Sequence, residues 1–276
     1  MKSIFVPTDF SEYANNALTY ALSIAKEASN EAEVVLLNAY QVPYSTSTIR
    51  SDKIYDVLEE GSKSGLDNLA AQYTDTYPDV KITTKTYKGD LKNYVNTDKF
   101  AEQYDLVVMG TKGASSLENV IFGSTTTSIL EKSKVPVLAI PANAAYSSIK
   151  SIAYASDYLK EDLQVISKLV DIAQSFEAAI KVVHVIEKDY DDFEEMVRFK
   201  GFEAVVSDTI GFENITFDKV ISDDFDQGLK KYMSEQEVSL LAMTTHKRSF
   251  LAKLLVPSLT KMITMHAEVP VISFRV

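Results

Sequence analysis

Two spacings of apolar residues alternate along the chain. Short unbroken runs, such as Val34-Val35-Leu36-Leu37 and Leu106-Val107-Val108-Met109, are separated by longer stretches in which apolar residues return every three or four positions. The short runs lack polar alternation, as expected of strands covered on both faces. The long stretches have the period of an amphipathic helix. In the first half this predicts strands at 3–7, 33–40, 81–87, 105–110 and 135–140, and helices at 13–28, 52–73, 91–102 and 124–134. Within 13–28, Ala17, Leu18, Ala21, Leu22, Ile24 and Ala25 form one broad apolar face. Strands that alternate with helices predict a parallel α/β sheet with right-handed crossovers, whose ligands bind beyond the carboxyl ends of the strands.

The pattern then repeats. Lys2-Ser3-Ile4 opens the first half and Lys150-Ser151-Ile152 the second, and at the same offset Asp9 falls on Asp157. LVVMGTKG (106–113) falls on LLAMTTHK (240–247), and VPVLAI (135–140) on VPVISF (269–274). Strands are predicted in the second half at 152–155, 180–185, 215–221, 240–244 and 269–274. The reading is therefore two tandem five-stranded parallel-sheet domains with helices on both faces, 1–145 and 146–276, joined within PANAAYSS (141–148). Both halves end in an apolar strand, an edge that must be covered. The other copy in the chain is the nearest cover. The sequence thus predicts that the two terminal strands pair antiparallel about a pseudo-twofold axis, a dimer of domains within one chain, with a further homodimer as a plausible extension.

Composition narrows the function. The 276 residues carry a net charge of −11, which argues against nucleic acid or an acidic membrane as partner. A local anion site is still open, because backbone N–H groups bind phosphate without any basic excess. With no cysteine there is no disulfide or thiolate chemistry. The start, MKSIFVPTDFSEYA, is too short and too broken for a signal peptide, and no run is long enough to span a membrane, so a cytoplasmic location is expected.

Candidate chemistry concentrates in MGTKGASSLENVIFGSTTT (109–127), which holds Gly110, Gly113 and Gly123 although the chain has only nine glycines. Gly110 ends a strand at the ligand-binding edge of the sheet. A helix starting at Ser124 offers unpaired N–H groups, hydroxyls and the positive end of its dipole. Side-chain-free backbone at 110 and 113 would admit an anion closely, the chemistry of a phosphate cradle. Spacing alone serves ordinary turn and cap glycines equally well. The loop is neither a Walker A nor a Rossmann fingerprint. Asp9, at the end of the first strand, suits ribose hydroxyls or a metal, or else caps the helix starting near Ser11. The clusters 189–192 and 223–226 lack calcium-loop spacing, and Asp90 and Asp224 read as helix caps. His184, His246 and His266 are scattered and make a weak metal site; His184 reads as a satisfied strand-end group.

The spacing Gly110-x2-Gly113-x9-Gly123-Ser124, together with Pro7-Thr8-Asp9-Phe10-Ser11, VVLLNAY and the terminal VPVLAIP, resembles the universal stress protein family over essentially the whole chain. The resemblance implies an adenine-nucleotide-alpha-hydrolase-like fold and ATP as ligand, with Mg or Mn as a companion ion. It places adenine and ribose on Pro7, Thr8, Asp9 and Ala39. It places the phosphates on Met109, Gly110, Gly113, Gly123, Ser124, Thr125 and Thr126. The second strand ends His-Val in many members and Asn38-Ala39 here, which puts the adenine contacts in question.

In the second half Thr244, Lys247 and Pro257 fall on the three glycines, and only Ser258 matches Ser124. That half is expected to have lost the site and to serve structure or a partner. The leading expectation is a nucleotide-binding stress-response protein with an unidentified protein partner, and with at most slow ATP hydrolysis or autophosphorylation on a serine such as Ser115, Ser116 or Ser124. The rival is a nucleotide-independent scaffold. An adenylating enzyme is disfavoured, because the S-G-G-x-D-S, H-I-G-H and K-M-S-K-S motifs are missing.

Overall fold

The computed structural model describes residues 2–28, 32–41, 51–113, 123–186, 192–245 and 269–276. The chain divides into two compact units, Met1–Tyr146 and Ser147–Val276. Among the described residues, no helix is long and apolar enough to cross a membrane.

The first unit runs β1 (Ser3–Pro7), α1 (Glu12–Ala28), β2 (Glu33–Tyr40), α2 (Ser51–Thr74), β3 (Lys81–Lys88), α3 (Leu91–Val95), α4 (Asp98–Ala101), β4 (Leu106–Gly110), α5 (Ser124–Lys132) and β5 (Val137–Ile140). Its strands lie in the order β3-β2-β1-β4-β5, and the neighbouring pairs are parallel. β4 is buried along its whole length, and β2 at Val34, Val35, Leu36 and Leu37, as their unbroken apolar runs require. The chain first moves from β1 to β2 and β3, then returns to the far side of β1 for β4 and β5. With right-handed crossovers, that reversal puts α1 and α2 on one face and α3 to α5 on the other. Thr19 and Ser23 of α1 accordingly meet Tyr73 in the last turn of α2 and Tyr77 just beyond it, at 3.1 and 2.9 Å between hydroxyl oxygens. On the other face Phe5 sits among Phe100, Tyr104 and Tyr94, with ring centroids 4.9, 5.0 and 5.9 Å away. The carboxyl ends of β1 and β4 flank the point where strand order reverses, the place where open α/β sheets leave a crevice.

The second unit repeats the plan with β6 (Ser151–Ala155), α6 (Asp162–Phe176), β7 (Ala179–Ile186), α7 (Asp192–Thr209), β8 (Ile215–Ile221), α8 (Phe225–Glu235), β9 (Leu240–Thr245) and β10 (Val271–Arg275), in the order β8-β7-β6-β9-β10. Its neighbouring strands are again parallel.

Several boundaries differ by a residue or two from those read in the sequence, and three of the differences have a clear local cause. The helix predicted over 91–102 is two short helices. Asn96 ends the first, and the Thr97 hydroxyl accepts the Phe100 N–H at 3.1 Å to start a new one. Such local side-chain capping competes with helix continuation. The last strands begin at Val137 and Val271, two residues later than predicted. Pro136 and Pro270 lack the N–H that a ladder needs and contribute only their carbonyls, to Val107 and Leu241. Asp90 and Asp224 are N-caps, accepting the N–H groups of Lys92 and Gln227 at 2.8 and 2.9 Å.

Candidate functional site

At the reversal point of the first unit lies a cleft of about 490 Å³, within the range usual for small-molecule sites. Every residue that the resemblance placed around the nucleotide lines it: Pro7, Thr8 and Asp9 at the end of β1, Ala39 at the end of β2, Met109 and Gly110 at the end of β4 with Gly113 beyond it, and Gly123, Ser124, Thr125 and Thr126 at the start of α5. Local rules bring them together. β1 and β4 are adjacent parallel strands, so both end at the same edge, and α5 starts where the chain turns back from that edge.

The wall after β1 is a tight, stapled turn. The Thr8 N–H donates to the Leu37 carbonyl at 2.8 Å, and the Thr8 hydroxyl accepts the Phe10 N–H at 2.9 Å. Phe10 takes a left-handed φ of 63°, a conformation that costs an L-residue about 1 kcal/mol. Asp9 Oδ1 accepts from the N–H and hydroxyl of Ser11, at 3.1 and 2.6 Å. It is Ser11, not Asp9, that caps α1, through the Ala14 N–H at 3.3 Å. The capping reading of Asp9 is thereby replaced: Asp9 orients the cap and keeps its second oxygen toward the β4 loop. A Cβ built on Gly113 would stand 2.8 Å from Asp9 Oδ2.

Gly110 is explained by packing. A Cβ there would lie 2.8 Å from the Tyr13 carbonyl oxygen, so the glycine lets β4 end against the first turn of α1. Gly123 needs no special conformation, since its φ of −63° and ψ of 149° suit any residue. What it supplies is an open helix start. As N-cap of α5 it offers no side-chain acceptor, and the first turn contains no acidic residue. Its own N–H is held by the Thr111 carbonyl at 2.8 Å, and the Thr126 hydroxyl donates to the Gly110 carbonyl at 3.0 Å, which ties α5 to the strand end. The cleft is therefore lined by the apolar Pro7, Leu37, Ala39 and Met109 and by the start of α5, the positive end of its dipole, and Lys112 and Lys92 also line it. Asp9 and Asp90 lie along it.

Gln41, Gly89, Asp90 and Lys92 also line the cleft and went unrecognised in the sequence. A usable signal was present. Gly89, with φ at +153°, and the capping Asp90 follow β3, whose carboxyl end reaches the same sheet edge. Ser115 and Ser116 lie outside the described residues. Among those described, no group of three or more His, Asp or Glu side chains could hold a metal ion.

The second unit builds the equivalent place differently. Thr244 stands where Gly110 stands, and α6 does not begin like α1. The Asn15 N–H bonds four residues back to Ser11, whereas Asp162, Leu163 and Gln164 each bond three residues back, a tighter turn. Asp162 replaces Ala14 and is 1% exposed. It accepts hydrogen bonds from the hydroxyls of Tyr154 (2.7 Å) and Ser156 (2.6 Å) and from the Leu159 N–H (3.1 Å). A buried, fully engaged carboxylate thus stands at the start of α6, where the first unit has an alanine. Burial first, then Asp162, pushes the Tyr154 phenol well above its ordinary pKa. His184 is a satisfied group, its Nδ1 donating to the Ser156 carbonyl at 2.5 Å with Glu195 Oε1 3.6 Å from Nε2. Lys247, Pro257, Ser258, His246, His266 and the cluster 189–191 lie outside the described residues.

Comparison with known proteins agrees with this duplicated plan. A model of the universal stress protein family matches residues 1–141 and again 148–275. Universal stress protein MJ0531 of Methanocaldococcus jannaschii is 29% identical over 142 residues, covering 50% of this chain and 81% of its own length. A universal stress protein structure from Archaeoglobus fulgidus superposes with a TM-score of 0.73 at 20% identity, covering 99% of this chain and 96% of that one. A putative universal stress protein from Pseudomonas aeruginosa superposes at 0.60 with 16% identity, covering 100% and 93%. These two structures share the fold, and the double match of the family model over nearly the whole chain means that this protein belongs to the universal stress protein family.

Proposed function

We propose that the first unit binds one adenine nucleotide, ATP, and that the chain acts as a nucleotide-dependent regulatory or protective protein of the stress response. The observation that carries the reading is the cleft at the strand reversal, where an apolar wall and an uncapped helix start face the same space. The base would lie against Pro7, Ala39 and Met109, and the ribose hydroxyls would donate to Asp9. The phosphates would take the N–H groups of Ser124, Thr125 and Thr126 and the hydroxyls of Ser124 and Thr125, with Lys112 beside them, while the Thr126 hydroxyl stays on the Gly110 carbonyl. The residues fit the ligand that the family resemblance implies. Gly123 puts no side-chain acceptor in competition with an anion, Gly110 lets the strand end close against α1, and Gly113 lets the loop lie close against Asp9. A Mg or Mn ion would be held chiefly by the phosphates, with Asp9 as the protein's contribution.

Binding rather than rapid turnover is the proposed role. Fast hydrolysis needs a held water, a base and a metal clamp, and the Asp9 carboxylate is already engaged by Ser11. The second unit, with Thr244 and the buried Asp162 at the equivalent place, would bind none. Isothermal titration with ATP, with and without Mg, tests the proposal: one site per chain is expected. No heat at millimolar nucleotide would leave the scaffold reading in its place, and two sites would refute the assignment of the second unit.

A further inference from the structure

The two units solve one local problem in two ways. In each, the turn after the first strand ends on a carbonyl at the rim of the sheet, Thr8 in one and Ser156 in the other. Each is gripped by a side chain from the neighbouring strand. Asn38 donates from Nδ2 to the Thr8 carbonyl at 2.8 Å, and His184 donates from Nδ1 to the Ser156 carbonyl at 2.5 Å. The two side chains occupy equivalent registers, opposite Thr86 on β3 and Lys219 on β8. Each also faces a side chain of the following helix. The Ser62 hydroxyl, in a residue 4% exposed, donates to Asn38 Oδ1 at 2.8 Å, and Glu195 faces His184.

The Thr8 carbonyl belongs to the peptide that carries Asp9. Its turn also holds Phe10 in a left-handed conformation, which is not a resting state for that residue. A grip on this peptide therefore sets, together with the Ser11 hydrogen bonds, where the Asp9 carboxylate points. Asn38 is itself the residue before Ala39, which lines the cleft. We infer that Asn38 is a positioning residue for the nucleotide cleft: held by Ser62, it fixes the Thr8–Asp9 peptide and so aims Asp9 at the ribose. This rests on the proposed nucleotide site. It also gives the Asn38-Ala39 ending of β2 a purpose, since the amide does here the donating work that an imidazole does in the second unit.

The test compares affinity for ATP with thermal stability in Asn38→Asp, Asn38→His and the unsubstituted full chain. Asn38→Asp is isosteric but has no donor for the Thr8 carbonyl, and its carboxylate would face that oxygen. A fall in affinity of about ten-fold or more is expected. Asn38→His can donate from Nδ1 to Thr8 and accept from Ser62 at Nε2, so it should bind within about three-fold of the unsubstituted chain. A role confined to stability would change melting temperature and leave the affinities of the folded proteins equal. Folded Asn38→Asp that binds ATP as well as the unsubstituted chain overturns the inference alone. Failure of Asn38→His to recover affinity also counts against it, since donation to Thr8 would then not be the property that matters. An unsubstituted chain that binds no ATP overturns the nucleotide reading, and this inference with it.

Discussion

Substituting aspartate for Gly123 sets helix stability against ligand binding, and the two should move in opposite directions. Gly123 is the N-cap of α5 with φ and ψ of −63° and 149°, angles open to any residue, so the change carries no backbone penalty. The helix start has neither a side-chain cap nor a first-turn acid. An aspartate there would accept first-turn N–H groups, worth a few tenths of a kcal/mol over glycine, and would complement the dipole by about 0.3–1 kcal/mol more. The melting temperature should rise by about 1–3 °C. For a bound phosphate the same carboxylate is a competitor and a like charge. At a separation of about 5 Å each unit-charge repulsion costs about 0.8 kcal/mol in water and about 3 kcal/mol at an effective dielectric near 20. Losing a hydrogen bond to a charged group costs about 1.5–3 kcal/mol in addition. A total of about 3 kcal/mol or more corresponds to at least about a hundred-fold weaker ATP binding. Gly123→Asn caps equally well without the charge and should lose less, and AMP should suffer less than ATP because fewer charges lie at the helix start. Titration calorimetry with a parallel melting curve reads both effects. A folded Gly123→Asp protein that keeps ATP within about three-fold would refute the placement of phosphates at α5.

Other expectations concern stability. Glu177 closes α6 in a left-handed conformation with φ at 52°. Glu177→Gly should relieve about 0.5–1 kcal/mol, and an unchanged or lower melting temperature would contradict that. Asp162→Ala leaves the Tyr154 and Ser156 hydroxyls buried without their acceptor. It should cost about 3 kcal/mol, so differential calorimetry should show the second unit melting earlier while ATP affinity is unchanged. The Tyr20 phenol is pushed up to about 12, by burial first and then by Glu27. Unfolded tyrosine ionises near pH 10, so the protonated form's contribution is complete below about pH 10 and is lost as the pH rises to about 12. Tyr20→Phe should flatten the alkaline decline in stability over that window by about 2–3 kcal/mol; parallel denaturation curves for the two proteins would show the assignment to be mistaken.

The sequence by itself determined what short-range rules determine. β1 and β2 fall where their apolar runs lie, because the stretches covered on both faces, 4–6 and 34–37, are continuously apolar. The glycine loop was visible because its spacing is local, and it reached the same edge as Pro7-Thr8-Asp9 because parallel neighbouring strands must end together. The duplication was legible for the same reason: it is a comparison of the chain with itself.

Tertiary structure decided whatever depends on side chains far apart in the chain. Nothing near Asn38 in the sequence announces that its amide would reach Thr8, 30 residues away, and be held by Ser62, 24 residues away. The purpose of Gly110 was misread for a related cause. The glycine pattern suggested room for an anion, but the atom that excludes a side chain is the Tyr13 carbonyl, placed there by the packing of α1 on β4. In the second unit the sequence showed only that glycines were replaced. Only the tertiary structure shows that the helix start there tightens and that Asp162, in the place of Ala14, is buried with the Tyr154 and Ser156 hydroxyls as its partners, because those contacts depend on how strand and helix pack.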